Sequence, residues 1–234
     1  MNNSKVNIIN YLSTHNNVCA EDLTAYYGIK TTTARQYLSE ISRKGDLVRI
    51  SRGTYAVSQK QNFVFVPNKI SQSIYKQLSN QLPYNDLCVY DGSVFSQFQH
   101  HLFTNNAVYV ETNRDSVEYV FNYLKSKYNN TFRQPDANFM TDYVDLRKRC
   151  IIVKSLVTES PLAEYDGVRV PTLEKLLVDI QKDADFDYLR GTESLYIYQS
   201  AFELYNINTQ RLLRYAKRRG TLTSVESLIN EVKK

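Results

Sequence analysis

The chain has 234 residues, enough for one large domain or two modest ones, and 42% of them are hydrophobic, so a real core can form. Cys19, Cys88 and Cys150 lie far apart with no CxxC or Cys/His spacing, which argues against a disulfide framework or a zinc site and points to a reduced, cytoplasmic setting. No stretch has the apolar length of a signal peptide, or the roughly 20 residues needed to span a bilayer, so neither export nor membrane insertion is expected.

The net charge of +5 is unevenly spread. Residues 1–60 carry eight Lys/Arg against four Asp/Glu, residues 61–204 fourteen against eighteen, and residues 205–234 seven against two, giving +4, −4 and +5. Basic ends around an acidic middle are compatible with two contact surfaces for a polyanion. The nineteen tyrosines are read as half-buried packing surface.

In chain order, Val6, Ile9 and Leu12 recur at helical spacing and predict a first helix. A second follows a cap near Cys19, with Val18 and Leu23 as a hydrophobic staple, Glu21 and Asp22 in its positive first turn, and Gly28 at its end. The third helix begins in the run Thr31, Thr32, Thr33. Thr31 or Thr33 can cap it, the latter as a capping box with Gln36. Ala34, Leu38 and Ile41 give it an apolar stripe, leaving Thr32, Arg35, Gln36, Ser39 and Arg43 on the outward face. Gly45 closes the helix, and "DLVRISRGTYAVS" alternates with period two about a turn at Arg52-Gly53.

Three helices and a hairpin predict a winged helix-turn-helix over residues 1–60, with the third helix suited to a DNA major groove. Arg35 and Gln36 are the expected base readers and Thr31 to Thr33 lie near phosphates. Lys30, Arg43, Lys44, Arg49 and Arg52 add charge toward the backbone. Two alternatives come from other classes: a metal-dependent nuclease guided by the winged helix, which requires Asp91 and Glu111 to converge, and, since winged helices also serve as protein-interaction modules, an adaptor.

Residues 61–234 are expected to form an α/β domain with a helical C-terminal region, so the whole chain is of the α+β class. "QKQNFVFVPNK" reads as a linker leading into a strand. Helix, strand, strand, helix and strand follow in "KISQSIYKQLSNQL", "DLCVYD", "AVYVE", "RDSVEYVFNYLKSKY" and "CIIVKSLV". There is no GxGxxG or GxxxxGK[ST], and only seven glycines, so no phosphate-cradling loop and no cofactor are expected. Asp91 and Glu111 end two apolar strands, as the carboxylates of a metal-dependent nuclease do, but the position two beyond Glu111 is Asn113 rather than lysine. His100 and His101 are adjacent and point to different faces, so no metal site is assigned. The chain is not read as an enzyme.

"YDGVRVPTLEKLLVDI" passes through a short strand into a helix that starts at Pro171-Thr172 and buries Leu173, Leu176, Leu177 and Ile180, with Glu174 and Asp179 outward or in local ties. Four helical stretches follow: "DFDYL", "TESLYIYQSAFELY", "NTQRLLRYAKRRG" and "SVESLINEVK". In the third, Arg211, Arg214, Lys217 and Arg218 form a basic stripe opposite Leu212, Leu213 and Ala216. It is either a solvated surface paired with acidic groups or a second nucleic-acid contact.

An N-terminal segment ending in "KGDLVRISRGTYAV", joined to a region with "VPTLEKLLVDI", resembles the AbiEi-type antitoxins, bacterial transcriptional regulators of toxin-antitoxin and phage-defence operons. The resemblance implies a repressor that binds double-stranded DNA at its own operator. It also implies a functional partner encoded nearby, a nucleotidyltransferase-like toxin, with which no stable complex is required.

Overall fold

The computed structural model describes residues 8–12, 14–44, 46–57, 60–99 and 103–233, the side chains of Ile9 and Lys44 excepted. Val6, Gly45, His100 and His101 lie outside the described residues. The chain divides into two units, Met1–Asn62 with Leu204–Asn208, and Phe63–Glu203 with Thr209–Lys234. It is a mixed α+β protein with small sheets.

In the first unit, helix α1 (Ile8–Leu12) leads to the two-residue strand β1 (Val18–Cys19) and helix α2 (Ala20–Tyr27). The Cys19 amide donates to the Asp22 carboxylate at 2.7 Å, which satisfies one of the amides a helix start leaves open. Gly28, at φ 66°, ends α2 in the left-handed conformation that costs glycine least. Helix α3 (Thr31–Lys44) follows, then β2 (Leu47–Ser51) and β3 (Thr54–Val57), hinged at Gly53 with φ 81°. β3 is central, antiparallel to both β1 and β2. Ile8, Leu12, Val18, Leu23, Ala34 and Leu38 share one core with Leu47. Gln61 closes this unit: its amide donates to the Leu204 carbonyl, and its own carbonyl accepts from the Asn206 amide, both at 2.9 Å.

The entry to α3 differs from the sequence expectation. The Ala34 amide donates to the Lys30 carbonyl at 3.0 Å, so the helical bonds start at Lys30 and neither Thr31 nor Thr33 serves as the cap. The Thr31 hydroxyl instead accepts from the Thr24 hydroxyl at 3.3 Å, and Gln36 donates to Glu40 one turn on rather than reaching back.

In the second unit, the stretch before Pro67 forms no strand. Val64 and Val66 stay exposed and Phe65 buries, the period-two pattern of a strand, yet among the described residues no ladder pairs Val64 to Val66. Helix α4 (Lys69–Gln81) is capped by the Asn68 side chain, which accepts from the amides of Ile70 and Ser71. Strand β4 (Leu87–Asp91), strand β5 (Val108–Thr112), helix α5 (Val117–Lys125), strand β6 (Thr131–Arg133), helix α6 (Ala137–Tyr143) and strand β7 (Ile151–Ser155) follow. β6 and α6 are short elements with no counterpart in the sequence reading. The sheet order is β4-β5-β7-β6, with β4 antiparallel to β5 and the other pairs parallel. A hairpin of β8 (Leu162–Tyr165) and β9 (Val168–Pro171) leads into helix α7 (Leu173–Asp179), capped by Thr172. Helices α8 (Thr192–Leu204), α9 (Thr209–Arg219) and α10 (Leu222–Val232) complete the chain. Among the described residues no helix is long and apolar enough to cross a membrane.

Register sorts the sheet into two faces. Leu87, Val89, Val108, Val110, Ile151 and Val153 pack with α4 and α5 into an apolar core. Glu111 and Tyr90 stand on the opposite face with Lys154, which lies directly beside Glu111 in the parallel register.

Candidate functional site

On α3 the buried Ala34 and Leu38 fix which side chains face solvent, and Thr32, Arg35, Gln36, Ser39 and Arg43 are all exposed. Lys30 is exposed ahead of the helix, while Thr31 and Thr33 are half-buried. Arg35 meets Glu21 at 3.4 Å, an ion pair with both side chains about two-thirds in solvent, and such pairs exchange readily for another anion. The Arg43 Nε donates to the Ser39 carbonyl at 3.4 Å, and the Arg49 Nε donates to the Ser51 carbonyl at 3.1 Å. Arg52 is exposed in the hairpin turn, and the Lys44 side chain lies outside the described residues. One unit therefore carries a polar, positive helix face and a basic hairpin.

The basic stripe on α9 is partly spent within the second unit. Arg211 approaches Glu174 at 3.8 Å, and Arg218 meets Glu159 and the Thr158 hydroxyl. Arg214 and Lys217 are exposed. Arg219, next in sequence and absent from the expected stripe, turns inward to Asp179 and Asp183.

That arginine belongs to a buried charge cluster on the sheet face opposite α4 and α5. The Lys175 ammonium, 1% exposed, donates to Glu111 at 2.8 Å and to Asp179 at 2.6 Å. The Tyr90 hydroxyl donates to Glu111 at 3.0 Å and the Tyr215 hydroxyl to Asp179 at 3.0 Å. The Lys154 ammonium donates to Asp183 at 2.8 Å and to Asp185 at 2.7 Å. Burial opposes the charge on Lys175, but Asp179 and Glu111 overcome it and raise its pKa well above the ordinary range. Burial pushes the Asp183 carboxyl up, but Lys154 and Arg219 override it and hold its pKa at about 2. Asp179 moves the other way, burial outweighing Lys175. A cavity of about 320 Å³ opens on the cluster, bordered also by Gln134, Ser155 and Lys182. Each buried cation is matched by carboxylates, so the site has hydrogen-bonding groups in quantity and little net charge.

Of the two alternatives for Glu174 and Asp179, the outward one fails, since all of Leu173–Asp179 is buried, while Asp179 does make a local tie, to Lys175 one turn back. The nuclease alternative requires two carboxylates to meet, and they do not. Asp91 and Glu111 do not converge. Glu111 pairs with Cys88 and Asp91 with Val108, three positions along the ladder, which puts the two carboxylates on opposite faces of the sheet. Asp91 instead accepts from the Asn68 amide at 3.0 Å and the Ser71 hydroxyl at 3.3 Å, tying α4 to β4. Among the described residues no cluster of His, Cys, Asp and Glu could hold a metal ion.

Lys175, Asp179, Lys154 and Arg219 were the residues least visible in sequence. The usable signals were the i, i+4 spacing of Lys175 and Asp179, and a lysine at an inward position of the apolar strand "CIIVKS".

An exposed basic helix and hairpin mark one unit of this mixed α+β protein, and a buried charged face marks the other. The chain belongs to DUF6577, described as a family of unknown function, which matches residues 33–234, from within α3 to past the end of α10. Comparison with curated proteins finds no match.

Proposed function

We propose that this protein is a DNA-binding regulator whose first unit is a winged helix-turn-helix, with α3 as the recognition helix and the β2–β3 hairpin as the wing. The carrying observation is the outward face of α3, where Arg35, Gln36 and Arg43 stand in solvent above a fixed apolar core. The element order, with β1 joined to the hairpin, supports the same reading. Arg35 and Gln36 read base edges, while Lys30, Arg49 and Arg52 meet phosphates. The protein acts by binding, in the cytoplasm and without a cofactor. On the resemblance to AbiEi-type antitoxins, the bound sequence is its own operator and the regulated operon encodes a nucleotidyltransferase-like toxin that it counters without a stable complex.

The test is a mobility-shift titration of the full chain on its own upstream DNA and on a scrambled duplex, at two salt concentrations. Tight, sequence-dependent, salt-sensitive binding is expected. One observation favours a second reading: Val48 and Ile50 leave one side of β2 exposed and apolar, as a protein-binding hairpin would. Equal weak retention of both duplexes at micromolar protein would move the assignment to that adaptor.

A further inference from the structure

A second cavity in the second unit, of about 460 Å³, has the opposite electrostatic character to the one on the buried cluster. Its floor is apolar, with Ile70, Val108 and Ile151, and Tyr128 stands at its wall. Its cations are Lys69, Lys127 and Arg149, and no carboxylate lines it. All three are exposed, and among the described residues none is in an ion pair. Lys127 is nonetheless held in place, since its ammonium donates to the Gln77 amide oxygen at 3.0 Å and to the Tyr123 hydroxyl at 2.6 Å. These partners orient the charge without neutralising it. Burial pushes the Cys150 thiol up to about 11, so the floor adds no negative charge at neutral pH.

Three uncompensated cations around one apolar hollow match a ligand with a concentrated multiple charge and a body to desolvate. Asn129 and Asn130, residues with hydrogen-bonding side chains, border the same hollow. The amides opening α4 are already taken by Asn68, and no glycine-rich loop contributes, so recognition falls to the side-chain cations.

We propose that this groove binds a phosphomonoester with a flat, hydrogen-bonding apolar body, the chemistry of a nucleoside monophosphate. The phosphate sits among Lys69, Lys127 and Arg149, and the flat body lies on Ile70 and Ile151 against Tyr128. The site is independent of the DNA-binding reading, because every residue in it belongs to the second unit.

The test is calorimetric titration of the full-length protein with adenosine 5′-monophosphate, adenosine and inorganic phosphate. Adenosine monophosphate is expected to bind and the other two to bind at least tenfold more weakly. Lys127→Ala and Arg149→Ala should each weaken it by about tenfold, the value of one charge-assisted hydrogen bond. Arg214→Ala, an exposed cation outside the groove, should leave it unchanged. Ser73→Phe keeps every charge and fills the groove mouth, and should abolish binding while the thermal unfolding midpoint holds. Adenosine binding as tightly as its monophosphate would overturn the role of the cations. Inorganic phosphate binding as tightly would overturn the role of the apolar floor, and absence of binding by all three would remove the site.

Discussion

The outward face of α3 and the inward face of the second unit's sheet use the same residue types for opposite ends. On α3 Arg35 and Arg43 stand in water, and the ion pair of Arg35 with Glu21 is solvent-separable and weak. Around Lys175 the buried cations Lys154, Lys175 and Arg219 are locked to carboxylates out of water, where removal of one partner strands the others. An exposed charge is available to a partner and contributes little to the fold. A buried, matched charge contributes to the specificity of the fold and has little left to offer.

The largest expected effect breaks the second half of this contrast. Lys175→Met should lower unfolding free energy by about 3 to 5 kcal/mol, because Glu111 and Asp179 lose their shared counter-charge while buried. Urea denaturation measures it, and an unchanged midpoint would mean the carboxylates reach solvent. Asp183 gives a smaller effect with a pH signature. Its folded pKa, about 2, lies below the ordinary aspartate value, so its contribution of roughly 2 kcal/mol is present above pH 4 and is lost as pH falls toward 2. The stability gap between the native chain and Asp183→Asn should therefore narrow across that interval. A gap that stays constant would break the link between Asp183 and its two cations.

The next effects sharpen the first half. Arg35→Ala should cost about 1 to 3 kcal/mol on operator DNA and far less on scrambled DNA, whereas Arg52→Ala should weaken both alike. Equal losses on both duplexes for Arg35→Ala would remove it as a base reader. If about four phosphates are neutralised, log K should fall against log salt with a slope near −3.6. Last, Arg214→Ala on α9 should change stability by no more than about 0.5 kcal/mol, since the side chain is exposed and no ion pair holds it among the described residues.

The exposed half of the contrast was legible in sequence, and the buried half was not. The stripe of Ala34, Leu38 and Ile41 orients α3 by periodicity alone, and the alternation around Gly53 gives the hairpin. Helix α7 defeats the same rule, because periodicity assumes that polar residues seek water. Lys175 meets the Glu111 carboxylate of β5, 64 residues away, and Asp179 meets the Tyr215 hydroxyl of α9, 36 residues away, and no local pattern carries such pairings. The exposed Val64 and buried Phe65 mark the converse failure: a strand pattern without a neighbouring strand to complete it.

The segment Leu204–Asn208 has a consequence for how the protein is made. It closes the first unit through Gln61, and the Asn206 side chain donates to the Lys60 carbonyl at 2.9 Å, yet it is synthesised after nearly all of β4 to α8. A nascent chain released early thus carries α1 to β3 without their closing segment, and so does any fragment cut at residue 60. Ribosome-bound intermediates should gain full protease resistance in the first unit only once residue 208 has cleared the exit tunnel, so the N-terminal unit finishes late although it emerges first.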